Sequence, residues 1–310
     1  MFPPLHELEI VTYRALLALH FRDGATGAAV STGLRAYAWR HDPAQPQVAR
    51  RLERAERSPQ SGIYGFRTLP GLEQYTKGET VTPGSVQYII QIEDERGRYL
   101  PQTRRFGLPL AEPAVQEVIL FPSPAYSPPP GFGVVRGQLL RTTAVSGAPP
   151  EVTVLEPARW ARVAVEAPGP SPSDPDVVYH GIADQRGSFL LLVPYPPIPS
   201  STLLEDAGWN VSLAIEHDPA AIAADLDELQ QVRPELGEPP PFHTTLLSQS
   251  PALLFAEVNV LDAAGRTYEI VGDPDETSVA EMLPFRRPLV IRTRIAGSPE
   301  SPLSEFLIRS

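Results

Sequence analysis

Cysteine is absent from this chain of 310 residues, and lysine is nearly absent. Without cysteine the chain has no disulfide, no thiolate metal site and no thiol nucleophile. Lys77 is the one lysine, so arginine supplies nearly all of the positive charge. The formal net charge is −11, which argues against a broad nucleic-acid or anionic-membrane surface. We therefore expect no nucleic-acid partner and no thiol-based chemistry.

The N-terminal region lacks a long hydrophobic run. Its apolar stretch, Ala15–Leu19, is far shorter than the ~20 residues that a membrane-spanning helix needs. Glu7 and Glu9 stand where a signal peptide would carry positive charge. The sequence therefore predicts a cytoplasmic protein without a membrane span.

Proline is abundant, with 37 residues in 310, about 12% of the chain, against a usual share of about 5%. Proline lacks an N–H group and clashes inside helices, so this content argues against a helical bundle. It suits short strands that are joined by many turns. Hydrophobic residues make up 42% of the chain, which is enough to build cores. The composition indicates a folded protein that is mainly β.

A recurring turn supports that fold class. The form Asp-x-x-Gly occurs three times between strand-like segments, and a looser version occurs once; the four sites are 94–97, 184–187, 262–265 and 23–27. Aspartate can bond the backbone of its own turn, and glycine supplies the positive φ that closes a short hairpin. Four such signals predict a mostly antiparallel β protein.

Two helices are expected within the β framework. His41-Asp42-Pro43 and His217-Asp218-Pro219 each follow a strand-like segment and place Asp as an N-cap before Pro at the first helical position. The first helix would carry Val48, Leu52 and Ala55 on one face. The second would run to about Val232.

The proline-rich stretch 121–131 is the best domain boundary. Its five prolines favour an extended, semi-rigid spacer. We expect one module at 1–120 and a second at 132–310, with a possible split near 201. The predicted fold class is mainly β, with tandem antiparallel β-sandwich modules of transthyretin-like or immunoglobulin-like type and two short inserted helices.

The second module resembles a known domain family. The matching residues are Gly137, the run Gly147-Ala148-Pro149, the pattern Asp184-x-x-Gly187-x-Phe189, and Pro194. These positions are similar to those of the carboxypeptidase regulatory-like, transthyretin-like β-sandwich domain. That resemblance implies a non-catalytic spacer, adhesive or assembly unit. The chain looks like an accessory component of a phage-tail-like contractile injection system, at its cap or tail end.

Catalytic motifs are missing from the sequence. There is no His-Glu-x-x-His, Gly-x-Ser-x-Gly, Walker or Gly-x-Gly-x-x-Gly motif, and the six histidines are scattered. The pairs His41-Asp42 and His217-Asp218 are either acid–base dyads or helix caps. Asp273, Asp275 and Glu276 form either a calcium loop or a plain acidic turn. We expect no cofactor, no metal and no enzymatic activity.

Arginine clusters and aromatic residues are the candidates for partner binding. The arginines form two groups, at 96, 98, 104 and 105 and at 286, 287, 292 and 294. Arg292 and Arg294 lie on the polar face of the strand 289–295, which either faces solvent or makes ionic contacts with an acidic partner subunit. Aromatic residues beside proline loops either cover a sandwich end or bind sugar or peptide; they are Tyr126, Phe132, Tyr195 and Trp209.

Together these observations predict a structural or assembly protein whose partners are other protein subunits, with a small-molecule ligand not expected. One alternative is a carbohydrate-binding or surface-binding β-sandwich module. A second alternative is a hydrolase with a site built from His217, Asp218 and Asp184.

Overall fold

The computed structural model describes residues 15–41, 52–72, 82–110, 115–144, 153–169, 171, 173–196, 207–217, 279–292 and 308–309. In this part of the chain there are eighteen strands and no helix. The expectation of a mainly β protein is confirmed. Among these residues, none forms a helix long and apolar enough to cross a membrane.

The first eight strands build one sandwich. Their bounds are β1 Leu17–Asp23, β2 Leu34–His41, β3 Glu53–Arg54, β4 Glu56–Arg57, β5 Tyr64–Phe66, β6 Val86–Asp94, β7 Gln102–Leu108 and β8 Val115–Leu120. One sheet has the order β4-β5-β1-β8 and the other the order β3-β2-β6-β7. Both sheets contribute to a single apolar core.

Alternation of apolar residues builds this core. Leu17, Leu19 and Phe21 of β1 are buried in it, because every second residue of a strand points to the same face of the sheet. The facing sheet contributes Tyr88 and Ile90 of β6. Phe21 and Tyr64 meet edge-to-face, with ring centroids 5.2 Å apart, an arrangement that aromatic pairs favour.

The remaining ten strands build the second half of the described chain. Their bounds are β9 Phe132–Gln138, β10 Leu140–Ala144, β11 Thr153–Pro157, β12 Arg162–Ala167, β13 Val177–Ile182, β14 Ser188–Pro194, β15 Gly208–Glu216, β16 Val279–Pro284, β17 Leu289–Arg292 and β18 Ile308–Arg309. They form three sheets, with the orders β14-β9-β17, β13-β12-β15-β16 and β11-β10-β18.

A second apolar core lies between the first two of these sheets. Val135 of β9 and Leu191 of β14 face Val163 of β12 and Leu213 of β15. Strand β12 pairs with β15 in antiparallel register, so strands on both sides of residue 201 share one sheet and one core. The boundary at 121–131 stays a prediction, although each of the two cores lies on its own side of that segment.

The sheets are not wholly antiparallel. Three pairs are parallel, namely β1 with β8, β9 with β17 and β10 with β18. Each joins strands that are far apart in the sequence, whereas turn signals report only on strands that follow one another. The expectation of antiparallel modules is therefore correct for most pairs and wrong for these three.

The first inserted helix is not seen where it overlaps the described residues. Residues 53–54 and 56–57 are short strands, and the N–H of Ala55 donates to the carbonyl oxygen of Ala36 at 2.9 Å. Ala55 lies in the first core, while Leu52 packs against Trp39 and Ile89 in a separate small cluster. Residues three apart share a helix face but point to opposite faces of an extended segment. The rest of this helix, and the second one at 218–232, lie outside the described residues.

The predicted turns are present at three of the four sites. Asp23 and Asp184 accept backbone N–H groups of their own turns, and the N–H of Gly97 donates to the carbonyl oxygen of Asp94 at 3.0 Å. The 184–187 turn does not close a hairpin, because β13 pairs with β12 while β14 pairs with β9. It carries the chain from one sheet to the other. The fourth turn, at 262–265, lies outside the described residues.

Candidate binding groove

An open groove lies where the proline-rich segment meets the second core. Its volume is about 640 Å³. One wall is the chain from Pro128 to Phe132, and the other is the β16–β17 turn from Phe285 to Pro288. Tyr126 and Tyr195 also line it. The groove is therefore walled by prolines and aromatic rings, and aromatic-lined grooves are common sites for extended, proline-rich peptides.

Three aromatic rings brace the turn. The ring centroid of Tyr195 is 5.1 Å from that of Trp209 and 5.0 Å from that of Phe285. Trp209 is only 8% exposed, so it supports the wall from behind and does not present a ring face to solvent. Of the four aromatic residues that the sequence singled out, Tyr126, Phe132 and Tyr195 line the groove.

The turn holds Arg286 in an unusual backbone conformation. Arg286 has φ of +57°, a left-handed region that costs a non-glycine residue about 1–2 kcal/mol. Its N–H donates to the hydroxyl oxygen of Tyr195 at 2.8 Å, and its guanidinium lies 5.2 Å from the ring centroid of Phe285. The backbone N–H of Tyr195 in turn donates to the carbonyl oxygen of Gly131 at 3.0 Å. Tyr195 therefore ties the two walls together.

The charge of the groove is positive. Arg136, Arg286 and Arg287 line it, and none of the described residues that line it is Asp or Glu. All three arginines are exposed. Within the described part of the chain, none of them forms an ion pair. Their charges are thus available to a ligand, in a protein whose net charge is −11.

Tyr126 connects the groove to the first sandwich. Its hydroxyl donates to Oδ2 of Asp23 at 2.5 Å, and the hydroxyl of Tyr99 donates to the same oxygen at 2.8 Å. The other oxygen, Oδ1, accepts the backbone N–H groups of Ala25 and Thr26 at 2.8 and 3.1 Å. Asp23 is only 4% exposed, so four donors compensate a buried carboxylate. We call Asp23, Tyr99 and Tyr126 the tyrosine–aspartate cluster.

Burial and the hydrogen bond to Asp23 raise the pKa of Tyr126 to about 12. The same two causes, in the same order, raise the pKa of Tyr99. Both hydroxyls therefore keep their protons at neutral pH and act as donors. Ser123 adds a further tie, because its N–H donates to the carbonyl oxygen of Arg98 at 2.8 Å and its hydroxyl donates to that of Gly97. The start of the proline-rich segment is thus bound to the first sandwich.

None of the first group of arginines lines the groove. Arg98 binds Asp94 through its Nη2 at 2.8 Å from Oδ1, and this hydrogen bond raises the pKa of Arg98. Arg104 is buried in β7, and burial lowers its pKa to about 10. Arg105 is half-buried and Arg96 is exposed. The groove's positive charge therefore comes from other arginines than these four.

The late arginine group is divided. Arg286 and Arg287 line the groove, Arg292 ends β17, and Arg294 lies outside the described residues. Sequence reasoning missed Phe285 and Arg136. Phe285 directly precedes the two arginines of the turn, so its position in the sequence could have indicated a role beside them. No local pattern marks Arg136, because only the pairing of β9 with β17 brings it near that turn.

Each candidate catalytic pair has its histidine among the described residues and its aspartate outside them. His217 is buried, and its Nε2 lies 3.1 Å from the carbonyl oxygen of Arg159. Asp184 is engaged in its own turn. Asp42, Asp218 and the acidic residues of the calcium hypothesis, at 273, 275 and 276, lie outside the described residues. In the described ranges, no group of three or more His, Asp and Glu side chains could hold a metal ion.

Comparison with known proteins identifies no family for this chain. No family model matches the chain, and no curated protein matches it. It is similar to a solved structure titled "The Bacillus anthracis TIE protein", with 12% identity and a TM-score of 0.20, over 67% of this chain and 29% of that one. The chain thus spans under a third of the length of that protein. A similarity this weak assigns neither a family nor a function to the chain.

Proposed function

We propose that this chain is a non-catalytic assembly protein that binds another protein subunit in the groove. The observation that carries the proposal is the groove itself, in which a proline wall, aromatic rings and three arginines face solvent together. Arginine and aromatic residues are enriched in protein interfaces.

The resemblance of 134–194 to the carboxypeptidase regulatory-like domain supports the same function. Following that resemblance, we propose that the assembly is a phage-tail-like contractile injection particle, with this chain as an accessory component of its cap or tail. The abundance of prolines and the braced turn suit a rigid part of such an assembly.

The carbohydrate-binding alternative would use the same aromatic residues. It is less favoured, because Trp209 is 8% exposed and its ring packs against those of Tyr195 and Phe285. A sugar-binding site usually offers the face of an aromatic ring to its ligand. The hydrolase alternative needs Asp218, which lies outside the described residues, and Asp184, whose carboxylate accepts the backbone N–H groups of its own turn.

Native fractionation tests the proposal. We expect the wild-type chain in an extract of its own host to sediment with large particles that contain tail-tube and sheath proteins. The double variant Arg286→Glu, Arg287→Glu should shift to the free fraction, because negative charge then replaces the positive charge with which the groove binds its partner. The matched control Arg186→Glu changes an exposed arginine outside the groove and should stay with the particles. A wild-type chain found only in the free fraction would overturn the assembly proposal.

A further inference from the structure

We propose that the groove's ligand is an extended acidic segment of the partner subunit, in which carboxylates alternate with proline or other apolar residues. This inference rests on the proposed function and names the chemistry of the partner. It is carried by the shape of the groove, by its charge and by the way that Arg286 is held.

The shape favours an extended chain. The walls are Pro128–Phe132 on one side and the Phe285–Pro288 turn on the other, with Tyr126 and Tyr195 along the groove. Grooves lined by aromatic rings bind polyproline-type segments, which enter already extended and therefore lose little conformational entropy. A volume of about 640 Å³ lies within the range of roughly 300–1,000 Å³ that is typical of ligand sites.

The charge favours carboxylates. Arg136 comes from β9 and the pair Arg286 and Arg287 from the turn, so positive charge reaches the groove from two elements. The planar guanidinium pairs with a carboxylate through two parallel N–H···O bonds. Because the described walls of the groove hold no Asp or Glu, a ligand carboxylate meets no repulsion from them.

The backbone of the turn prepares Arg286 for binding. Its left-handed conformation, its N–H bond to Tyr195 and its contact with Phe285 fix the direction in which the side chain leaves the turn. Local strain of this kind is concentrated at functional sites. A side chain held in place loses less entropy when a ligand binds.

A single-stranded nucleic acid is the competing occupant, since arginine and aromatic rings also bind bases and phosphates. The overall charge of −11 opposes a polyphosphate chain. A short acidic segment that contacts only the groove is less affected, because charges beyond about 10 Å are screened at 0.1 M salt. The observations therefore favour the acidic peptide.

Fluorescence anisotropy tests the inference on the full chain. The probes are three labelled ten-residue peptides that alternate proline with glutamate, glutamine or lysine, and a ten-nucleotide thymidine oligomer. We expect the glutamate peptide to bind at least tenfold more tightly than the other three. Raising NaCl from about 50 to about 300 mM should weaken its binding, because ion pairs at an exposed groove are screened.

Variants locate the binding. Arg286→Ala with Arg287→Ala should weaken binding of the glutamate peptide at least tenfold, and Arg136→Ala at least threefold. Arg186→Ala, outside the groove, should leave it unchanged. Equal binding of the glutamate and glutamine peptides, or tighter binding of the oligomer, would overturn the inference. If those results were found while particle association still depended on Arg286 and Arg287, the acidic-segment inference would be wrong and the assembly proposal would remain.

Discussion

Replacing Gly137 with alanine is expected to destabilise the second core by about 3 kcal/mol or more. Gly137 lies in β9, between β14 and β17, and pairs with Ile291 in the parallel register. A Cβ atom at this position would lie 1.8 Å from the carbonyl oxygen of Ile291 and 2.9 Å from Cε1 of Phe189. Backbone cannot give way as a flexible side chain can, so β17 would have to move off β9. Urea unfolding followed by tryptophan fluorescence measures the loss.

The matched control is Gly208→Ala, a glycine at the exposed start of β15 in the same half of the chain. Its added Cβ would meet Cγ and Sδ of Met282 at 3.0 Å, and Met282 is 61% exposed and free to turn away. We expect a change within about 0.5–1 kcal/mol for this control. If Gly137→Ala unfolded at the same urea concentration as the wild type, the close pairing of β9 with β17 would be wrong. That pairing brings Arg136 to the groove, so the site would also need revision.

Replacing Asp23 with alanine is expected to destabilise the first core by about 3 kcal/mol or more, since hydrogen bonds to a charged group contribute about 1.5–3 kcal/mol each. Its carboxylate accepts hydrogen bonds from the hydroxyls of Tyr99 and Tyr126 and from two backbone N–H groups. The variant would leave the hydroxyl of Tyr99 without its acceptor, in a residue that is only 5% exposed. Thermal unfolding by circular dichroism checks this loss.

Single hydroxyl deletions separate the parts of the tyrosine–aspartate cluster. Tyr126→Phe removes one donor to Asp23 and should cost about 1–2 kcal/mol. Tyr179→Phe is the control, since the hydroxyl of Tyr179 has no hydrogen bond in the described ranges; it should cost less than about 0.5 kcal/mol. Equal effects of the two changes would contradict the cluster's role in holding the proline-rich segment.

Much of the architecture could be predicted from local patterns. The alternation in β1 and β15 and the Asp-x-x-Gly turns are encoded by neighbouring residues, and the structure has strands and turns at those places. The parallel pairs are not encoded locally, because they join strands far apart in the chain. The prediction of a first helix is wrong at 52–57, because the periodic apolar residues Leu52 and Ala55 pack in two different clusters from an extended segment.

The sequence indicates several residues of the groove but not the groove itself. Tyr126, Phe132 and Tyr195 were singled out as aromatic residues beside proline loops, and Arg286 and Arg287 as part of a charged cluster. Nothing in the sequence indicates that the aromatic residues and the two arginines lie at one site. Their proximity depends on the hydrogen bonds that Tyr195 makes with Gly131 and Arg286. Trp209 looked equivalent to the other aromatic residues, and only the packing shows that it is buried behind the wall.

Site-specific photocrosslinking tests the central claim, that a partner subunit occupies the groove. A benzophenone amino acid at Pro288 would sit on the exposed rim of the groove, and one at Gln185 would sit on the exposed 184–187 turn, which does not line it. After irradiation of host cells, we predict that the first probe crosslinks to one partner protein, through an acidic segment identified by mass spectrometry, and that the second does not. Crosslinking of that partner at Gln185 but not at Pro288 would contradict the claim.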